Sequence, residues 1–363
     1  MDDGWGWKDE DGDVWTFIAY YNHWAVWLAG GGQEYHGFIQ RALTDLRDAY
    51  IYTGDIRYAH KGMILLDRIA DLYPEMDITA HHWYDGFDNG DPAAHSAQGK
   101  IVHDIWETGL VKTFILAYDA FFPAIDRDPE LVAFLSEKAR IHKLANPKNS
   151  PAAIKKNIED NILRLVYPGV KNSQIRGNMG MHQSALALAA VVQDEEGTSK
   201  EWLEFVFQAG EIVKVTDPKL PFGRKFMVTG GNLDPLFYND VDRDGFGDEA
   251  SPGYNIGWLK NILIVAEAVD GYERYPEYDL FKNPKFLKMF CAYYPLIMLD
   301  RYVPPIGDSG KTGNPGLLGE LNTEMVGFEK TGDPYLAQLI YMRNGNRADN
   351  LHGSIFSRDP EKL

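Results

Sequence analysis

Residues 53–59 read TGDIRYA, and residues 331–337 repeat the pattern as TGDPYLA. In both copies a glycine follows a helical pattern and an aspartate stands where the next helix would begin. Glycine is the usual residue just after a helix, and aspartate is a preferred N-cap. The two copies therefore predict short turns between paired helices. Stacked helical hairpins of this kind form either an open superhelix or a closed ring.

Helical periodicity dominates the rest of the chain, and strand-like alternation is scarce. Turn signals separate the helical segments into pairs. The fold class predicted from this pattern is all-α. The helices are predicted near 36–52, 55–73, 98–121, 129–144, 151–166, 175–193, 199–214, 255–269, 283–299 and 333–343.

Composition limits the class of protein. The 363 residues are 45% hydrophobic, enough for one large domain or two ordinary ones. A net charge of −17 argues against a nucleic-acid partner, and it also opposes an acidic polymer unless a local basic groove compensates. We expect no membrane span, because no run of about 18 apolar residues is present. The opening MDDGWGWKDEDGD does not read as a signal peptide, and the single Cys291 excludes an internal disulfide.

The stretch RGNMGMHQSALALAAVV (176–192) predicts a helix that is apolar on every side and belongs in a protein interior. Asn178 and His182 lie one turn apart at its beginning and would share one face. Two interpretations stay open. The pair either binds an anion at the positive end of the helix or forms a satisfied polar pair at a buried helix end.

A second polar helix entrance is predicted by DVDRDGFGDEASPGYN (240–255), which leads into an apolar helix and places Tyr254 at its start. A phenol has a pKa of about 10 in water, so a tyrosine that acts as a base needs cationic or desolvating help. Arg176, Arg224 or His182 are the candidates for that help. A purely structural Tyr254 is the alternative.

The same segment spaces Asp240, Asp242, Asp244 and Gly245 as in the opening of a calcium loop. The twelfth position of such a loop would be Ser251 instead of glutamate. A structural calcium site and a solvated acidic turn are both compatible with this sequence.

Further polar and aromatic residues punctuate apolar segments. His103 and Glu107 lie one turn apart beside Trp106 in a helix that is otherwise apolar. A buried carboxylate is costly unless it is paired, so Glu107 either bonds a neighbouring helix or faces a wet cleft. Aromatic residues, Tyr238 among them, also interleave with polar ones at 83–91, 222–240 and 300–310. Such rings either stack on sugars or cover the core at helix ends.

Five segments in the same order resemble the toroid domain of heparinase II/III-like polysaccharide lyases, a group related to the alginate and chondroitin lyases. The resemblance covers most of the chain. The segments are YTGDIRYAHKGMILLDRIADLYP (52–74), IVHDIWETGLVKTFILAYD (101–119), RGNMGMHQSAL (176–186), DGFGDEASPGYN (244–255) and VPPIGDSG (303–310).

This resemblance implies an (α/α) toroid that cleaves a uronic-acid-containing polysaccharide by β-elimination, with no cofactor required. Asn178, with His182 beside it, would neutralise the substrate carboxylate, and Tyr254 would transfer the protons. The acidic polysaccharide would be bound by Glu107, Trp106, His103, Arg176, Arg224 and Tyr238.

The resemblance also implies a domain organisation. Residues 1–34 are expected to be an aromatic, acidic lead-in, 35–345 the toroid, and 346–363 the start of a β-sandwich domain that continues beyond this chain. Such enzymes are secreted or periplasmic, and we expect the same here. The net charge of −17 favours a less charged uronate polymer over a highly sulfated one.

Two other classes of protein compete with the lyase. A glycoside hydrolase on the same helical ring would need two carboxylates about 5–10 Å apart. Its candidates are Asp85, Asp88, Glu107 and Asp248, and no pair among them is singled out. A non-catalytic carbohydrate-binding domain would keep the aromatic loops and would not need Tyr254.

Overall fold

The computed structural model describes residues 7–8, 14–15, 38–77, 98–219, 224–249, 251–299, 302–304, 306–307, 320–349 and 351. The described residues are 66% helical with few strands. The prediction of a mostly helical chain is confirmed at this level.

Several predictions concern residues outside this part of the chain. The aromatic loop at 83–91, which contains Asp85 and Asp88, lies outside the described residues. The expected β-domain start at 346–363 lies outside them apart from 346–349 and 351. Of the 1–34 lead-in, the structure describes two short strands, β1 (Trp7–Lys8) and β2 (Val14–Trp15), which pair antiparallel.

The contacts within the chain divide it into two compact units. Unit 1 comprises Met1–Gly177, Leu188–Ser199 and Ile212–Thr229. Unit 2 comprises Asn178–Ala187, Lys200–Glu211 and Gly230–Leu363.

Unit 1 has a core of three mutually packed helices, α1 to α3, on which α4 to α6 are assembled. A 3₁₀ turn, Tyr73–Glu75, extends α2, and a π-helical turn, Glu159–Leu163, joins α5 to α6. The helices are α1 (Phe38–Thr53), α2 (Ile56–Leu72), α3 (Asp104–Ile125), α4 (Pro129–His142), α5 (Pro151–Ile158) and α6 (Arg164–Lys171).

Two further helices contribute residues to both units, α7 (Met181–Gln193) and α8 (Glu196–Phe207). In its described residues, unit 2 otherwise forms helices and 3₁₀ turns joined by loops, with the apolar α10 largely buried. The helices are α9 (Leu233–Asn239), α10 (Pro252–Val269), α11 (Pro284–Met289), α12 (Leu321–Thr331) and α13 (Pro334–Arg343), and the turns are Pro276–Tyr278, Leu280–Lys282 and Tyr294–Leu296.

The repeated TGD turns form as predicted. Gly54 follows α1 and Gly332 follows α12, and both have a φ of 66°. This left-handed conformation suits glycine, which has no Cβ to clash. The side chains of Asp55 and Asp333 then accept hydrogen bonds from the backbone N–H two residues later, at 3.0 and 2.8 Å. Both turns therefore join a helical hairpin through the same local chemistry.

The predicted helix at 199–214 is wrong in its second half. Helix α8 ends at Phe207, and Ile212–Thr216 forms strand β3, which pairs antiparallel with β4 (Arg224–Val228). The sequence IVKVT is rich in β-branched residues, which favour strands. Strand pairing with a segment about ten residues away decided the conformation, and helical periodicity could not reveal it.

Other helix boundaries also differ from the prediction. The helix predicted at 98–121 begins only at Asp104, and the one predicted at 283–299 ends at Met289. Beyond Met289 the chain continues through turns into the short 3₁₀ turn Tyr294–Leu296. Helix α12 was predicted only through the second TGD turn, without bounds, and helix α9 was not predicted.

Helix α3 is the most apolar long helix in the described part of the chain. By length and composition it could cross a membrane, but 56% of its most apolar window is buried within the protein. The core helix of a soluble protein passes the same test, so this feature is weak evidence for a span.

Helices α2 and α3 approach closely at Gly62. A Cβ placed on Gly62 would lie 2.4 Å from the ring of Phe121, which is fully buried on α3. Glycine is required here by contact, since any side chain would displace an aromatic ring from the core.

We expect Gly62→Ala to lower the free energy of unfolding by about 1–3 kcal/mol, the usual cost of overpacking a core. Gly257→Ala, in the middle of α10, is the matched control because a Cβ at that position would have no other atom within 4 Å. That change should raise stability by about 0.5–1 kcal/mol. Urea unfolding of both variants checks the pair, and equal effects would show that helix propensity alone governs Gly62.

A buried charge network ties α2 to the chain between α4 and α5. The Nζ of Lys148 contacts the carboxylates of Asp67 and Asp71, and the amide of Asn157 donates to both at 2.9 and 3.0 Å. Burial raises the pKa of Asp67 to about 6, while the neighbouring Lys148 opposes the rise. The sequence analysis missed this network, although two aspartates one turn apart on an amphipathic helix were a signal for it.

Candidate functional site

Two of the three predicted catalytic residues lie in unit 2, one in the turn before α7 and one in its first turn. The helix starts at Met181, so Asn178 precedes it in an exposed turn while His182 is buried in its first turn. The prediction that both residues share one helical face is therefore wrong. Gly180, with a φ of 87°, shapes the turn, and the side chain of Gln183 accepts a hydrogen bond from its N–H at 2.9 Å.

Tyr254 lies where the sequence predicted, at the entrance of an apolar helix. The Oγ of Ser251 accepts a hydrogen bond from the N–H of Tyr254 at 3.2 Å, and Pro252 fills the first helical position. Both are standard N-terminal signals. Tyr254 is 37% exposed at this helix end.

The turn before α7 contacts the middle of α10 within unit 2. A Cβ on Gly180 would lie 2.6 Å from the Cβ of Asn261 and 2.9 Å from the backbone N of Ile262, both on α10. Asn261 is seven residues beyond Tyr254, so the two lie on the same face of α10, about 10 Å apart along its axis. Gly180, between Asn178 and His182 in sequence, therefore packs against α10 about two turns beyond Tyr254.

In unit 1, a second group forms around the start of α3. The buried carboxylate of Asp104 contacts His103 Nδ1 at 2.5 Å and Arg176 Nη2 at 3.1 Å. The backbone N–H of Arg176 also donates to the Asp104 carbonyl, at 3.2 Å. Trp106, two residues after Asp104, is 48% exposed. Asp104 thus links two predicted sugar-binding residues beside an exposed aromatic face, and the sequence analysis missed it.

Strand β4 is hydrogen-bonded to the segment just before α3. The side-chain amide of Gln98 donates to the Phe226 carbonyl at 3.0 Å and accepts from the Phe226 N–H at 2.6 Å. The carbonyl of Gln98 accepts from the N–H of Asp104. The backbone of Arg224, two residues from Phe226, begins β4. These bonds connect the strand that carries Arg224 to the start of α3.

Glu107 is hydrogen-bonded to neighbouring residues and does not face solvent. Its carboxylate is fully buried and accepts hydrogen bonds from the Tyr73 hydroxyl at 2.8 Å and from the N–H groups of Ile101 and Val102 at 2.9 Å each. Burial raises the pKa of Glu107 to about 7, against the lowering effect of these bonds and of Lys100. The side chain therefore holds residues 101–102 in place, and this explains why α3 begins after them.

We expect Glu107→Gln to flatten part of the pH dependence of stability. A carboxyl whose pKa rises from 4.5 to about 7 on folding stabilises the fold most below about pH 4.5, and this contribution is lost as the pH rises through 7. The amide has no such titration. The difference in unfolding free energy between variant and wild type should therefore shift by roughly 3 kcal/mol in favour of the variant over this window. Urea unfolding at about pH 5 and pH 8 measures the shift, and parallel profiles would contradict it.

The remaining predicted residues lie at separate positions in unit 2. Tyr238, at the end of α9, is 81% exposed. Asp240, Asp242 and Asp244 form a closed turn, in which the Oδ1 of Asp242 accepts from the N–H groups of Asp244 and Phe246 at 2.7 and 3.2 Å. Among the described residues no three His, Cys, Asp or Glu side chains are grouped as a metal site requires. Calcium binding by this turn stays a prediction.

No family model matches this chain, and no curated protein or solved structure matches it either.

Proposed function

We propose that this chain is a polysaccharide lyase that cleaves a uronic-acid-containing polysaccharide by β-elimination, on helical hairpins arranged as an (α/α) toroid. The repeated TGD turns and the apolar helices α3, α7 and α10 support the toroid. The observation that carries the function is in unit 2. There, Gly180, which lies between Asn178 and His182, packs against Asn261 and Ile262 of α10, the helix that begins beside Tyr254.

The chemistry of elimination requires this set of groups. The C5 proton of a uronate is weakly acidic because its removal adds negative charge beside a carboxylate. Donors from Asn178 and His182 would neutralise that carboxylate and stabilise the enolate-like transition state. The first turn of a helix also favours negative charge, through its backbone N–H groups and dipole.

Tyr254 would carry the proton transfers. Its phenolate oxygen takes the C5 proton, and the electron pair of the broken C5–H bond forms the C4=C5 double bond while the C4–O4 bond breaks. The resulting phenol gives a proton to the leaving O4, which restores the phenolate. The rigid start of α10, fixed by Ser251 and Pro252, holds the phenol in one place.

Sugar binding is assigned to the group in unit 1. Trp106 offers an exposed aromatic face for a sugar ring, and the Asp104 carboxylate holds His103 and Arg176 beside it. Because Glu107 is buried and fully hydrogen-bonded, it would act indirectly, by fixing the start of α3.

The proposal is tested by incubating the protein with a panel of uronic-acid polysaccharides while recording ultraviolet absorbance and reducing ends. The expected result is rising absorbance from the new C4=C5 double bond. New reducing ends without this absorbance would replace the lyase with a glycoside hydrolase. Binding of a polysaccharide with neither signal would leave a carbohydrate-binding domain.

A further inference from the structure

The beginnings of α2 and α4 line a pocket in unit 1 that none of the roles above uses. It has a volume of about 580 Å³, within the range of about 300–1,000 Å³ that small-molecule sites occupy. A hydrogen bond of 2.7 Å between His60 Nδ1 and Asp128 Oδ2 joins the two helices there. We call it the α2–α4 pocket.

Basic side chains are concentrated in this pocket. Arg57, His60, Lys61 and Arg127 line it, in a chain whose net charge is −17. Among the described residues, no carboxylate lies within ion-pair distance of Lys61 or Arg127. These two side chains are the ones we assign to an anion.

Two of the carboxylates in or near the pocket, those of Asp128 and Asp55, already have hydrogen-bond partners. Asp128 accepts from the N–H of Leu131 at 2.8 Å through Oδ1 and bonds His60 through Oδ2. Asp55 holds Arg57 through both carboxylate oxygens. Glu130 is the remaining acidic residue of the lining, and it lies exposed at the start of α4.

Arg127 is held in position before any ligand arrives. Its Nε donates to the Pro123 carbonyl at 3.0 Å and its Nη2 to the Tyr50 hydroxyl at 3.1 Å. A guanidinium has five N–H donors, so these bonds leave others for a carboxylate. Ile56, Tyr58 and Pro129 supply apolar wall beside the cations.

We infer that the α2–α4 pocket binds an acidic sugar unit, with Lys61 and Arg127 on its carboxylate and the apolar wall against its ring. This assignment rests on the substrate class proposed above. It supplies a local basic surface that an acidic polymer would need on so acidic a protein. The site would bind the polysaccharide and take no part in elimination.

The test is calorimetric binding of short oligogalacturonate and oligoguluronate chains to the full chain carrying Tyr254→Phe, so that turnover does not consume them. Adding Lys61→Glu, or separately Arg127→Gln, should weaken binding at least about fivefold or remove one binding event per chain. Lys138→Glu on α4 is the control, because it makes the same charge change outside the pocket. Unchanged binding in both pocket variants would overturn the inference.

Further experiments distinguish a sugar carboxylate from a free anion as the ligand, and the pocket proposal from the lyase proposal. A neutral cello-oligosaccharide should not bind in a Lys61-dependent way. Inorganic phosphate that displaces the uronate chain at equal concentration would overturn the sugar assignment in favour of a free oxyanion site. Lys61-dependent uronate binding in a protein whose wild type shows no elimination would support the pocket and refute the lyase.

Discussion

Tyr254→Phe is expected to lower the rate of β-elimination by at least about a hundredfold, because positioned acid–base groups contribute about 10²–10⁴ to a rate. The ring, its packing and the helix cap from Ser251 remain, so substrate affinity and stability should change little. The measurement is the initial rate of absorbance increase at saturating substrate, with binding measured in parallel.

The matched control is Tyr341→Phe. Tyr341 lies on α13, also in unit 2, and has the same exposed fraction as Tyr254, 37%. The Tyr341→Phe variant should catalyse β-elimination at the wild-type rate. Wild-type activity in Tyr254→Phe would remove this residue from proton transfer and, with it, the basis of the lyase mechanism.

Lys148→Met is expected to lower the free energy of unfolding by about 3–5 kcal/mol, the usual cost of leaving a buried charge without its partner. The ammonium of Lys148 is almost completely buried, and its Nζ contacts the carboxylates of both Asp67 and Asp71. Methionine matches the apolar stem of lysine, so the loss reports mainly on the missing charge. Urea unfolding of the full chain measures it.

The size of this loss should depend on pH. The pKa of Asp67 is already raised to about 6, and removal of the lysine raises it further. As the pH falls, Asp67 is therefore protonated at a higher pH in the variant than in the wild type, which removes its unpaired buried charge. The deficit should therefore shrink as the pH falls from about 8 to about 5.

Lys156→Met is the control, because Lys156 forms an exposed ion pair with Asp160 one turn away. That pair should contribute no more than about 0.5 kcal/mol. A similar small loss in Lys148→Met would show that the buried network does not stabilise the fold.

The candidate site was only partly predictable. Tyr254 at a helix start follows from Ser251 and Pro252, which are close in sequence, and the structure places it there. The pairing of Asn178 with His182 on one helix face was wrong, because the left-handed Gly180 and its contact with α10 start the helix late. Glu107 was recognised as a buried carboxylate, but its partners Tyr73, Ile101 and Val102 required the fold.

The sequence by itself determined that the chain is mostly helical and where helices such as α2, α4 and α13 begin. Their caps bond to backbone groups two or three residues away, so the signal is local. Only the tertiary structure decided the β3–β4 hairpin, the Lys148 network and the α2–α4 pocket. Lys148 is 81 residues from Asp67, and His60 is 68 residues from Asp128. Which residues pair over such distances depends on how the helices pack, and local sequence patterns do not contain that information.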